Sequence, residues 1–185
     1  MTRIVGIAGS LRRKSYNRGL LEAAKELVPG GVDLHVHGIE GIPLYNGDVE
    51  EKEGIPPAVT ALKTAIVQAD GLLLASPEYN NGIPGAFKNA IDWLSRPPSD
   101  APRIFHGRPV AVMGATPGNF GTILAQDSWL PVLRTLGTRP WFEGRLMVSR
   151  AEDLYDGEGR LTDEHVRQRL KDFLAGFVAF ARHGK

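Results

Sequence analysis

Short, wholly apolar runs alternate along this chain with longer stretches that repeat apolar residues every three or four positions. Ile4-Val5-Gly6-Ile7-Ala8, Leu72-Leu73-Leu74-Ala75 and Val110-Ala111-Val112-Met113 are runs of the first kind. Apolar at every position and only four or five residues long, they suit strands covered on both faces, as in parallel sheets. Val32-Asp33-Leu34-His35-Val36-His37 alternates at period two and predicts a half-exposed strand. The stretch from Trp141 to Val148 predicts a last strand. Five helical stripes lie between and after these runs. They are carried by Leu20, Leu21, Ala24 and Leu27; by Val59, Leu62, Ala65, Ile66 and Ala69; by Phe87, Ala90, Ile91 and Leu94; by Trp129, Leu130, Leu133 and Leu136; and by Val166, Leu170, Phe173, Leu174, Phe177 and Phe180. Pro56-Pro57 opens the second helix, Pro131 is placed to kink the fourth, and Thr162 is the expected N-cap of the last. Gly38 to Pro57 and Pro98 to Pro109 read as irregular connections, with Glu50 to Glu53 a solvated charge run.

Five strands alternating with five helices imply an α/β fold with a doubly wound parallel sheet and helices on both faces. The 185 residues suit one domain, without repeats or low complexity. In such sheets ligands bind beyond the carboxyl ends of the strands. Three unusual loops follow strands, after Ala8, Ala75 and Met113, and so converge on one edge.

The first loop, Gly9-Ser10-Leu11-Arg12-Arg13-Lys14-Ser15-Tyr16-Asn17, runs from a strand into a helix N-terminus. Such an end offers unpaired N–H groups and a partial positive charge to an anion. Ser10, Ser15 and Asn17 can donate to phosphate oxygens, and Arg12 supplies charge. The spacing matches neither G-x-x-x-x-G-K-[ST] nor G-x-G-x-x-G, so a single terminal phosphate fits better than a triphosphate or a dinucleotide. The plain alternative is an ordinary N-cap at Ser15 with Arg12, Arg13 and Lys14 solvated.

The second loop, Ser76 to Gly85, carries two prolines, two glycines and Asn80-Asn81, and so favours turns and fixed backbone. Tyr79 offers a flat face to a planar heterocycle, and the backbone donors from Glu78 to Gly82 suit its oxygens and nitrogens. The alternatives are a helix-entry or surface role for Glu78 and core packing for Tyr79. The third loop, Gly114 to Gly121, is again rich in glycine. His35 and His37 share a strand face with no third ligand close in sequence, so a solvated face is expected there rather than a metal.

Cysteine is absent, which removes thiolate nucleophiles, disulfides and dithiol redox chemistry. Redox work by this chain would need a bound cofactor to carry the electrons. A net charge of +1 sets up no strong field for nucleic acid or membrane. The first apolar run is too short for a signal peptide, and no stretch approaches a membrane span, so a cytoplasmic protein is expected.

Gly9-Ser10-Leu11-Arg12 with Ser15-Tyr16-Asn17, Pro77-Glu78-Tyr79-Asn80, and Pro84-Gly85 followed by Lys88-Asn89-Ala90-Ile91-Asp92-Trp93 resemble the NADPH-dependent FMN reductase family, nearest its quinone and chromate reductase branch. The resemblance implies a flavodoxin-like fold with strand order 2-1-3-4-5 and non-covalently bound FMN. It places the ribityl phosphate on Ser10 to Asn17. It places the isoalloxazine ring against Pro77, Glu78, Tyr79, Asn80 and Asn81, with Thr116 touching it from the third loop. It also implies NADPH or NADH as donor and quinones, azo compounds, chromate or free flavin as small-molecule acceptors. Some relatives carry Tyr, Arg and Tyr at positions 81, 124 and 127, where they join dimers into a tetramer. This chain has Asn81, Leu124 and Asp127, so a homodimer is expected and that tetramer is not.

The rival from another class is a flavodoxin-type electron carrier acting with a protein partner. Such carriers are typically strongly acidic, and this chain is not. A receiver domain needs acids where Gly9 and Ser76 stand. The phenylalanines of the last helix, with Trp129, offer a second copy an apolar surface, unless they simply pack on the sheet.

Overall fold

The computed structural model describes residues 1–183. Its spine is a parallel sheet ordered β2-β1-β3-β4-β5, built from β1 (Thr2–Ala8), β2 (Val32–His37), β3 (Gly71–Ala75), β4 (Pro109–Ala115) and β5 (Arg139–Pro140). This is the flavodoxin-like order. A further short strand, β6 (Leu146–Val148), also pairs with β4. The centre of the sheet is dry: every residue of β3 is buried. That explains its unbroken apolar run, because helices cover both faces.

The helices are α1 (Tyr16–Leu27), α2 (Gly47–Glu53), α3 (Pro57–Val67), α4 (Gly85–Leu94), α5 (Ala101–Phe105), α6 (Ile123–Thr135) and α7 (Glu164–Arg182). One core lies between the sheet and α1 and α7, around Leu20, Leu21, Phe173 and Phe177. The other lies between the sheet and α3, α4 and α6, around Ile66, Phe87, Trp93 and Trp129.

Four expectations are corrected. The last strand is not continuous from Trp141 to Val148. Its first piece, at Arg139 and Pro140, pairs with Pro109 and Val110, and its second with Met113 to Ala115. Between them Trp141 turns inward, its ring edge-on to Phe173 at 5.0 Å. Trp141 N still donates to Val110 O at 2.8 Å, after which the pairing lapses and the chain rejoins β4 at Leu146. Second, the two connections read as irregular contain α2 and α5. Helix α2 buries none of its residues, so it has no apolar stripe to announce it. Third, Asp163 and not Thr162 caps α7, accepting from Val166 N at 2.8 Å, while Thr162 Oγ1 donates to Leu154 O. Fourth, most of the apolar residues offered to a second copy are inside: Trp129 and Phe177 are fully buried and Phe173 nearly so, while Phe180 is partly buried against the same core.

Glu50 is also more than a solvated charge. Its carboxylate accepts from Arg96 Nε at 2.8 Å and from the Tyr45 hydroxyl at 2.9 Å, tying α2 to the end of α4. His35 Nε2 lies 2.6 Å from Asp33 Oδ2 on the same strand face. Among the described residues no helix is long and apolar enough to cross a membrane.

Candidate functional site

The carboxyl ends of β1, β3 and β4 lie side by side, Ala8 opposite Ala75 and Ala75 opposite Met113. Their three loops enclose a cavity of about 300 Å³, the scale of a small-ligand site. Ser10, Arg12, Ser15, Tyr16 and Asn17 line it from the first loop, Pro77, Glu78 and Tyr79 from the second, and Thr116, Pro117 and Gly118 from the third.

The first loop is held close to its neighbours by a glycine. A Cβ at Gly9 would stand 2.1 Å from the buried ring of Phe87 on α4. Ser15 then starts α1, its Oγ accepting from Arg18 N at 3.3 Å. Ser10 Oγ accepts from Arg12 N at 3.3 Å. Both hydroxyls are buried, and accepting those bonds leaves each its own proton to donate. With the first-turn N–H groups of α1, which no helix can satisfy internally, they make a donor set suited to a phosphate. The Arg12 guanidinium stands over the Tyr16 ring, 5.9 Å from its centroid.

Asn17 is committed elsewhere. Its Nδ2 donates to Ala115 O at 2.8 Å, and its Oδ1 accepts from Ala115 N at 2.9 Å. The side chain is a clamp between α1 and the end of β4. Leu11 is exposed and lies off the cavity wall. Arg13 and Lys14 face a separate cleft between α1 and the turn at 156–162. There the Lys14 ammonium donates to Gly157 O at 2.6 Å and to Glu158 at 2.9 Å. Ser10, Arg12 and Ser15 to Asn17 line the cavity while Leu11, Arg13 and Lys14 do not, a division that a motif read as a block does not show.

The second loop is a tight two-residue hairpin. Tyr79 and Gly82 exchange both backbone bonds, at 3.2 and 3.1 Å, around Asn80 and Asn81. Those asparagines have φ of 51° and 61°, the left-handed pair that such a turn demands and that asparagine tolerates. The N–H groups of Tyr79 and Gly82 are thereby spent on each other, and Asn80 and Asn81 stand at an exposed tip. Tyr79 is half-exposed, not core. Glu78 reaches across to α6, where its Oε2 accepts from Ala125 N at 2.9 Å. Ser76, wholly buried, accepts from Trp129 Nε1 at 2.9 Å, one turn further along the same helix.

The third loop is braced by the segment after β6. Thr116 N donates to Val148 O, Ala151 N to Thr116 O, and Arg150 N to Gly118 O. Pro117 and Gly118 were not singled out from sequence. The glycine-rich run after β4 was their only signal. Asn89 and Trp93 of α4 both donate to Pro43 O, and Asn89 also accepts from Tyr45 N. They pin the connection before α2 and do not reach the cavity.

The model of the NADPH-dependent FMN reductase family matches residues 2–153. The chain belongs to this family. An NAD(P)H-dependent FMN reductase of Pseudomonas aeruginosa is 42% identical over 97% of this chain and 95% of its own length. The quinone reductase of Escherichia coli is 33% identical over 98% and 96%. Among solved structures, FerB of Paracoccus denitrificans, a flavoenzyme NAD(P)H:(acceptor) oxidoreductase, superposes with a TM-score of 0.86 at 32% identity. That match covers 100% of this chain and 99% of FerB. Membership makes this chain an FMN-dependent NAD(P)H oxidoreductase and sets the electron-carrier reading aside.

Proposed function

We propose that this FMN reductase takes two electrons from NADPH or NADH and delivers them to quinones and related small acceptors, with the flavin held in the three-loop cavity. The observation that carries this reading is the donor set at the head of α1. Two buried hydroxyls, each already accepting a backbone bond, line one cavity with a proton left to donate, beside the first-turn N–H groups of Tyr16 and Asn17. Relatives named as reducing 2-hydroxy-1,4-benzoquinone, in Burkholderia, and as quinone reductases support the acceptor class.

In this reading Ser10, Ser15 and the backbone of Tyr16 and Asn17 hold the ribityl phosphate, and Arg12 offsets its charge. Pro77, Glu78, Tyr79, Asn80, Asn81 and Thr116 form the ring's surroundings. FMN held there would supply two-electron redox chemistry between nicotinamide and acceptor. The chain's own residues bind and orient. No side chain serves as a nucleophile. The half-exposed Tyr79 gives an incoming ring a flat surface at the mouth. The three loops offer one mouth, which donor and acceptor use in turn, so ping-pong kinetics are expected.

The homodimer rests on another surface than the last helix. Ile123, Leu124, Leu130 and Phe142 are exposed beside an apolar groove of about 380 Å³, the kind of patch that marks a contact between chains. A cytoplasmic site of action fits the supply of nicotinamide cofactor.

The test is anaerobic. Purified protein reconstituted with FMN is titrated with NADPH and then with a benzoquinone, following the flavin band. Bleaching by one equivalent and full recovery with quinone are expected. Protein that leaves FMN unbound refutes the reading.

A further inference from the structure

We propose that Glu78 is a positioning residue, acting on the flavin loop by capping helix α6 from outside that helix. This rests on the placement of the flavin ring against the second loop.

Helix α6 begins without a cap of its own. Thr122, at its head, has φ +67°, and its Oγ1 accepts from the Gln126 side chain at 3.1 Å and caps no backbone N–H. An α-helix so started needs partners from outside for its first N–H groups, and Ile123 N finds one in Phe120 O at 3.3 Å. Glu78 meets the need from 47 residues away in sequence, its Oε2 accepting from Ala125 N at 2.9 Å. A carboxylate at that end is also favoured by the helix dipole. Four residues along, on the same inner face of α6, Trp129 Nε1 donates to Ser76 Oγ at 2.9 Å. The hairpin from Tyr79 to Gly82 follows Glu78 directly and is closed by its own pair of bonds. Among the described residues, this strap's hydrogen bonds to neighbouring elements are those of Ser76, to Met113 O and Trp129, and of Glu78. The strap thus rides on α6 through Ser76 and Glu78.

A residue named for lining the ring therefore has one carboxylate oxygen spent on the scaffold. This role differs from direct contact in a measurable way. What the cap needs is an acceptor oxygen, which glutamine supplies and alanine does not.

Glu78→Ala and Glu78→Gln are compared with wild type in three measurements. The first is amide hydrogen exchange at Ala125 in the FMN-free protein, which is independent of the flavin reading. The second is the FMN dissociation constant by fluorescence quenching. The third is kcat with NADPH and a quinone at saturating FMN. For Glu78→Ala, exchange at Ala125 rises, FMN binding weakens and kcat falls, each by roughly ten-fold, the scale of a lost helix cap. Glu78→Gln stays within about three-fold of wild type in all three. Unchanged exchange at Ala125 in Glu78→Ala overturns the proposal. So does a Glu78→Gln variant with normal exchange but the alanine variant's loss of FMN binding, since the carboxylate would then act on the flavin itself. Loss of kcat with exchange and binding intact overturns it as well. Wild-type protein that ignores FMN refutes the functional reading instead, and the exchange comparison still decides the cap.

Discussion

Asn17 and Ala115 exchange two hydrogen bonds, side-chain amide against backbone, at 2.8 and 2.9 Å. The pair joins the first turn of α1 to the last residue of β4, so the first and third loops are held as one rim. Both residues are buried.

Asn17→Ala leaves both backbone groups of the buried Ala115 without these partners. A loss of about 2–4 kcal/mol is expected, from two broken bonds and the desolvation they no longer offset. Urea denaturation of the FMN-free protein measures it. A change below about 0.5 kcal/mol would mean that the clamp is idle.

Ser15 separates two roles that overlap in the native protein. Aspartate caps a helix as well as serine does, so Ser15→Asp is expected to leave unfolding free energy within about 0.5 kcal/mol of wild type. Its carboxylate would face the phosphate, and like charges a few ångströms apart repel by several kcal/mol at protein-surface dielectric, so FMN affinity should fall by at least about ten-fold. Tight FMN binding by this variant would move the phosphate away from the head of α1.

Gly9→Ala places a methyl group 2.1 Å from the Phe87 ring, which is itself edge-on to Trp129 at 5.0 Å. The ring has no room to retreat, and overpacking of about 1–3 kcal/mol is expected. It should appear as a lower urea midpoint with an unchanged slope. Adding Phe87→Leu should return part of it, because the two sites touch.

Acid should loosen the face that carries α2 and the loop after α4. The Glu50 carboxyl is held below its ordinary value chiefly by its bond from Arg96, and that of Asp100 chiefly by its bond from Lys63. Each folded-state pKa is depressed, so the contribution to stability is complete above the ordinary values of 4.5 and 3.8. It is lost as pH falls through the lowered ones. Glu50→Gln and Asp100→Asn should therefore be less stable than wild type at pH 6 and closer to it at pH 3. An equal gap at both pH values would contradict this linkage.

The architecture was legible in the sequence because burial on two faces leaves a signature that needs no partner to be read. The apolar runs of β1, β3 and β4 and the helical stripes between them allowed little else. The first loop drew attention by its residue types and its place ahead of α1, and Ser10, Arg12 and Ser15 do line one cavity there. The family resemblance, carried by Gly9 to Asn17 and Pro77 to Asp92, is confirmed by the comparisons. The local code was weaker wherever an element owed its form to something far along the chain. Helix α2 shows no apolar stripe, and the last strand is interrupted after Trp141, whose ring packs on Phe173 and Phe177 of the distant α7.

What the sequence determined by itself was which residues stand at the carboxyl edge of the sheet, since strand and helix periods are local properties. Only the tertiary structure decided what each of them does there. Glu78 bonds to Ala125, Asn17 to Ala115 and Lys14 to Gly157, across 47, 98 and 143 residues. A hydrogen bond depends on distance and angle after packing, and no spacing along the chain encodes either. Three polar residues that look alike in a motif therefore become a helix cap, a clamp and an outer strut, while Ser10 and Ser15 keep donors for the cavity.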